Sequence, residues 1–253
     1  MAGMDATIVR QAGSWLWQGL NQLLWPAVCL NCGRGIVEAD GHLCRVCWDD
    51  LLSRAAGNAC RRCGRDASRY GMLQGACGAC RDEDLHVDGI ARAGVYGGVI
   101  RELILRFKNG RTDLDGVMAT LVAATFDGSG WQDDVDLVVP VPLHWRRRLA
   151  RGYNQSAILA GSLRARGLGL STDLVRIRHT KQQPAMASPA SRRRNVAGAF
   201  AVRKGHPFAG RRICLADDVK TTGATLNECA RVLKEAGAQR VYAVVLAVAG
   251  QEN

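Results

Sequence analysis

Residues 213–225, ICLADDVKTTGAT, constrain the fold of this chain more than any other stretch. An apolar run of strand character ends in two adjacent carboxylates, Asp217 and Asp218, and a threonine- and glycine-rich turn follows. Leu226, Cys229, Ala230 and Leu233 then fall at i, i+3, i+4 and i+7, one face of a helix. Strand, turn and helix in that order form one repeat of an α/β sheet. They place the backbone N–H groups of Thr221, Thr222, Gly223, Ala224 and Thr225 at a helix N-terminus. Unpaired donors and the positive end of the dipole favour an anion there, most naturally a phosphate. The threonine hydroxyls add donors, and Gly223 permits close backbone approach. Lys220 adds positive charge beside the turn. The two carboxylates suit sugar hydroxyls or a hard cation such as Mg²⁺, so the run as a whole fits a phosphorylated pentose.

The chain from residue 88 onward alternates between strand and helix periods. Ile100, Leu103, Ile104 and Phe107 define one helix face, and Leu121, Val122 and Thr125 belong to another. DLVVPV (136–141) and RVYAVVLAV (240–248) are apolar runs of the buried parallel type, with a helix expected over 157–163. Cys214 and Cys229 read as small core residues, and Gly237 falls at the C′ position of the helix bearing Leu233. The pattern predicts a doubly wound parallel sheet flanked by helices, with its ligand at the carboxyl ends of the strands.

Charge is distributed unevenly over the 253 residues. The net charge is +11, but residues 140–212 hold sixteen Lys or Arg against one acid, Asp173, so that segment is +15 and the remainder −4. Just beyond the DLVVPV strand, Val141, Pro142, Leu143, His144, Arg146, Arg147, Arg148 and Arg151 gather in one short stretch. Arginine forks there match phosphate oxygens bidentately. Nucleic acid would be drawn by the same charges. Residues 178–200 are polar, contain Pro184 and Pro189, and read as a loop able to close over substrate.

Eight of the ten cysteines form four C-x-x-C pairs: Cys29/Cys32, Cys44/Cys47, Cys60/Cys63 and Cys77/Cys80. CLNCGR (29–34) recurs as CRRCGR (60–65), with Gly33 and Gly64 where a metal knuckle needs positive φ. Two Cys₄ zinc ribbons, ligated consecutively, account for every cysteine of the module. Spacing alone also admits interleaved ligation and rubredoxin-like iron. With four thiolates per ion and no open position, the metal is structural rather than catalytic. Residues 5–24 read as an amphipathic helix ended near Pro26, rather than a signal peptide, and its tryptophans Trp15, Trp17 and Trp25 as packing residues. No apolar run is long enough to span a membrane, and the expected compartment is the cytoplasm. The expected division is a helix over 1–28, a double zinc ribbon over 29–85 and an α/β domain over 86–253.

DDVKTTGAT resembles the 5-phosphoribosyl-1-pyrophosphate (PRPP) motif of type I phosphoribosyltransferases. Together with the C-x-x-C repeat, LILRFK (103–108), VPVPLH…RGYNQ and the stretch from Thr180 through Gln183, Arg192 and Asn195, it makes the whole chain similar to the ComF-type family. That family is associated with bacterial competence and DNA utilisation. The resemblance implies a type I phosphoribosyltransferase-like sheet behind a small double zinc ribbon. It implies that Asp217 and Asp218 hold ribose hydroxyls, that 221–225 hold the 5-phosphate with Mg²⁺ on the substrate, and that 141–148 form the pyrophosphate loop. Lys181, Gln182 and Ser191 depart from the family pattern within the 178–200 stretch. The zinc ribbons, as the spare module, are the expected hood over the acceptor. A non-catalytic reading also follows: a PRPP sensor, or an adaptor for single-stranded DNA or a DNA-uptake protein.

Overall fold

A computed structural model of the chain describes residues 27–36, 41–73, 76–180 and 188–250. The expected N-terminal helix, with Trp15, Trp17 and Trp25, lies outside these residues. The chain divides into two compact units, Met1–Asp50 and Leu51–Asn253.

The sequence repeat is a structural repeat. In the first unit, Val28 bridges Gly35, the Cys29 N–H donates to Arg34 O (2.8 Å), and the Gly33 N–H donates to Cys29 O (2.9 Å). In the second, Ala59 bridges Asp66, the Cys60 N–H donates to Arg65 O (2.8 Å), and the Gly64 N–H donates to Cys60 O (2.7 Å). Both knuckle glycines take φ +73°, a conformation open to glycine and strained for other residues. The second pair of each set sits differently. Cys47 lies in helix α1 (Arg45–Ala55), and Cys77 in a hairpin of β1 (Met72–Leu73) and β2 (Ala76–Cys77).

The sheet of the second unit contains β3 (Gly89–Val95), β4 (Leu137–Pro140), β5 (Gly169–Leu170), β8 (Arg212–Lys220) and β9 (Arg240–Val248). It is parallel throughout, in the order β3-β9-β8-β4-β5. Helix α2 (Gly98–Lys108) buries Val99, Ile100, Leu103, Ile104 and Phe107, the face its sequence period predicted. Helices α3 (Asp115–Asp127) and α5 (Gln155–Ser162) cover one side of the sheet, where Trp131 stacks on Tyr242 at 4.6 Å and 7°. Helix α7 (Ala224–Glu235) covers the other, burying Leu226, Cys229, Ala230 and Leu233 against Ile213, Leu215, Val241 and Ala243. Alternate residues of β8 therefore serve opposite cores, which is why both its faces are apolar. Cys214 and Cys229 are fully buried within these layers. No helix of the described residues is long and apolar enough to cross a membrane.

The stretch 178–200 is not all loop. Helix α6 (Pro189–Val196) occupies its second half and leads into β7 (Phe200–Val202), which pairs antiparallel with β6 (Leu174–Arg176). The helix starts on a capping box: the Ser191 N–H donates to Ser188 Oγ (3.2 Å) and the Ser188 N–H to Ser191 Oγ (3.1 Å). Its run of arginines carries no apolar stripe, so hydrophobic periodicity could not reveal it. The signal present was Ser188 followed by Pro189, an N-cap and first-turn proline.

Candidate sugar-phosphate site and metal centres

Strand β8 does not end at the carboxylates but continues through Lys220, pairing Asp217 with Val245 and Lys220 with Val248. The turn that follows keeps Gly223 at φ +83° as the N-cap of α7, and the Asn227 N–H closes the first turn on Gly223 O (2.9 Å). Among the described contacts, the Ala224 N–H reaches only Thr222 Oγ1, at 3.4 Å. The turn thus gathers amides and hydroxyls at a helix N-terminus on the carboxyl edge of the sheet.

The acidic pair is held in place by residues that sequence reasoning did not assign to the site. Ser156 Oγ donates to Asp217 Oδ1 (2.9 Å), as does the Asp218 N–H (3.0 Å). Lys108, the last residue of α2, pairs with Asp218 Oδ2 at 3.1 Å. Burial first, and the Asp218 charge second, push the Asp217 carboxyl up to about 7 against the opposing pull of these donors and of Lys108. The RGYNQ segment sets this geometry. Tyr153 Oη donates to Phe107 O, Gln155 Nε2 to Lys108 O (3.5 Å), and Asn154 Nδ2 to Val141 O (3.2 Å). Three consecutive side chains thereby tie the end of α2 and the start of the arginine segment to one point.

The arginine segment is helix α4 (Trp145–Arg151), capped by His144, whose Nδ1 accepts from the Arg146 N–H (3.3 Å). Val141 is buried, with its N–H on Ala216 O (3.0 Å), while Pro142 and Leu143 are half-buried. His144 is buried; desolvation, then His179 at 4.9 Å between ring centroids and the surrounding arginines, lowers its pKa. Arg147 turns inward and donates to Thr180 O (2.7 Å); burial and Arg151 lower its pKa. Arg151 reaches Gln155 Oε1 (3.4 Å), whereas Arg146 is exposed and stacks over Trp145.

Sequence reasoning also missed Arg176. It lies over the Phe200 ring (5.1 Å), donates to Thr180 Oγ1, and leaves its buried Nε without a partner among the described residues. Burial and the Arg147 charge depress its pKa; Cys229 and Asp217 oppose them. Strand β6 thus adds a buried cation whose charge is felt by Asp217.

The eight ribbon thiols gather as Cys29, Cys32, Cys44, Cys47 and Cys60, Cys63, Cys77, Cys80, with the sulfurs of each set all within 4.8 Å of one another. Consecutive grouping is thus observed. Sulfurs of Cys32 and Cys44 lie 3.6 Å apart, of Cys60 and Cys80 3.8 Å, and of Cys63 and Cys77 3.6 Å. A tetrahedral ion with Zn–S bonds of about 2.3 Å requires edges of about 3.8 Å. Both donor sets fit. Burial raises the Cys29 and Cys60 thiols, but nearby amides outweigh it and bring them to about 6 and about 7. Those of Cys32, Cys44 and Asn31 act on the first thiol, and those of Cys63, Cys77 and Arg62 on the second. Knuckle amides of this kind stabilise a thiolate.

A five-stranded parallel sheet with an acidic pair and an anion-type turn at one strand end is the frame of a phosphoribosyltransferase, here preceded by two four-thiol ribbons. Family comparisons agree: residues 20–81 match the double zinc ribbon domain and residues 149–253 the phosphoribosyl transferase domain. The first match favours zinc over iron, which spacing left open. Competence protein F of Haemophilus influenzae is 32% identical over 84% of this chain and 93% of its own length. The DNA utilization protein YhgH of Salmonella typhimurium is 30% identical over 85% and 94%. Competence protein ComFC of Bacillus subtilis is 27% identical over 80% and 82%. The chain belongs to this ComF family of competence and DNA-utilisation proteins.

Proposed function

We propose that the protein binds PRPP with Mg²⁺ and transfers its phosphoribosyl group to an acceptor, releasing pyrophosphate, within DNA uptake or utilisation. Asp217 and Asp218 receive the ribose hydroxyls, with Thr221, Thr222, Gly223, Ala224 and Thr225 around the 5-phosphate. Val141, Pro142, Leu143, His144, Arg146, Arg147 and Arg151 face the diphosphate. The observation that carries this reading is the acidic pair itself. Half-buried carboxylates held by Ser156 and Lys108 beside an open amide turn are oriented before any ligand arrives. Mg²⁺ bound with the substrate would neutralise the diphosphate charge. Arg147 and Arg176 favour the departing diphosphate as its negative charge develops, and no protein nucleophile is required. Thiols arranged for metal suit a reducing compartment, and we place the protein in the cytoplasm.

The test is isothermal titration of PRPP into the zinc-loaded protein with Mg²⁺, beside an Asp217→Asn/Asp218→Asn double variant. Binding that the double variant loses supports the site, and a folded wild type that binds no PRPP overturns it. A second reading, a non-catalytic adaptor for single-stranded DNA, draws on α4, where Trp145 and Leu149 are exposed beside the exposed Arg146 and Arg148. An exposed indole among cations is suited to stacking on bases. Under that reading Trp145→Ala weakens DNA binding without touching PRPP affinity.

A further inference from the structure

Lys220 is the charged residue of the DDVKTTGAT run whose side chain is most fully shut away. It is 3% exposed, and its Nζ is buried with no hydrogen-bond partner among the described residues. A buried ammonium without a counter-charge is expensive to keep. Beside desolvation, the charged and ionisable groups acting most strongly on it are Arg65, Cys63, Glu83 and Cys80, all of the second ribbon. Glu83 is already taken: Arg65 Nη2 bonds its Oε1 at 3.0 Å, while Arg65 Nη1 bonds Ala79 O at 2.9 Å. The remaining anionic partner is the set of four thiolates that a bound zinc ion would organise, which is net −2.

The opposite side of the same lysine supports the turn. A Cβ on Gly223 would lie 2.9 Å from Lys220 Cε and 3.6 Å from its Nζ, so the turn's left-handed residue rests directly on the lysine chain. Further bonds join the ribbon to this region. The Ile90 N–H donates to Arg61 O (2.9 Å), and a Cβ on Gly64 would meet Ile90 at 3.1 Å and Val248 at 3.2 Å. Val248 is the residue paired with Lys220 across β8 and β9. At the first turn of α7, Asn227 Nδ2 donates to Asp84 O (3.0 Å) and Asn227 Oδ1 accepts from the His86 N–H (2.6 Å).

We propose that Lys220 is the counter-charge of the second ribbon's zinc tetrathiolate, and that zinc in this ribbon thereby sets the conformation of the 221–225 turn. The coupling half rests on reading that turn as a phosphate site; the pairing half does not. Lys220 is then a positioning residue: its charge faces the second ribbon on one side, and its chain packs under Gly223 of the turn on the other. Coupling of this kind is reciprocal, so PRPP on the turn holds zinc in the second ribbon.

The test uses the full chain loaded with ¹¹³Cd or zinc. Lys220→Met should shift one of the two cadmium resonances. It should also release one of the two zinc ions to excess EDTA about tenfold faster, the effect typical of losing a partner of a metal ligand. Lys220→Arg, which keeps the charge, should leave both readouts near wild type. PRPP with Mg²⁺ should slow release of that same zinc in wild type and not in Lys220→Met. Unchanged resonances and release rates in Lys220→Met overturn the pairing. An equal effect of Lys220→Arg and Lys220→Met, or loss of folding in both, assigns the effect to packing and also overturns it. If Lys220→Met shifts the cadmium resonance but wild type binds no PRPP by titration, the phosphate reading falls and the pairing stands. If PRPP binds and leaves zinc release unchanged, the coupling falls.

Discussion

Asp217 is the residue on which the chemistry of the site turns. Its carboxyl sits at about 7, against 3.8 in an unperturbed chain, because burial and Asp218 disfavour its charge. The raised value favours the folded state while the group is protonated. That stabilising contribution is fully present below about pH 4 and is lost as pH rises through 7. Under the proposed function binding has the opposite dependence, since only the carboxylate would accept ribose hydroxyls or face a cation. PRPP affinity should rise between pH 6 and 8, as titrations across that range would show, and the rise should flatten in Asp217→Asn. Ser156→Ala removes the donor at 2.9 Å, so it should move the inflection further upward and weaken binding about tenfold at neutral pH. An inflection left in place by Ser156→Ala would mean that the serine serves packing alone.

At the scale of elements, the turn and the RGYNQ segment do separate jobs. Gly223→Ala meets two obstacles, a backbone at φ +83° and the Lys220 chain 2.9 Å from the new methyl group. The left-handed conformation alone costs about 1–2 kcal/mol. The expected outcome is a loss of about that size in thermal or urea unfolding, with a larger loss of PRPP affinity because the turn shifts. Tyr153→Phe keeps the ring packed on Phe107, 6.2 Å between centroids, and removes only the hydroxyl bound to Phe107 O. Stability should fall by about 1 kcal/mol, while PRPP affinity falls further because Lys108 loses its anchorage to Asp218. Equal losses in both measurements would deny the segment a positioning role. These elements differ in how far the sequence exposed them. The strand, acidic pair, glycine turn and α7 were legible because local spacing encodes them. Lys108, Ser156 and Arg176 were not, because each reaches the site from a separate element through tertiary packing. Helix α6 escaped because its run of arginines carries no apolar stripe, and the burial of Lys220 could not be read from a lysine beside a phosphate-type turn.

At the scale of the molecule, the two ribbons share a motif but not a role, since the compact units place the second with the sheet. A fragment of residues 51–253 keeps every contact described between the second ribbon and β3, β9 and α7. A fragment of residues 88–253 loses the Arg61 carbonyl that receives the Ile90 N–H, together with the Asp84 and His86 bonds to Asn227. Each such bond is worth about 1 kcal/mol. It also uncovers Ile90 and Val248, 4% and 1% exposed, at about 1.5–3 kcal/mol for each side chain laid bare. The summed loss, about 6–9 kcal/mol, falls within the whole stability of a typical domain. The shorter fragment should therefore aggregate or unfold without a cooperative transition. The longer one should melt cooperatively, bind one zinc, and retain PRPP affinity within about twofold of the full chain. A soluble 88–253 fragment with that same affinity would show the second ribbon to be a mere appendage. It would also remove the structural basis for coupling zinc to the turn, because an intact turn would then stand without the thiolates that neutralise Lys220.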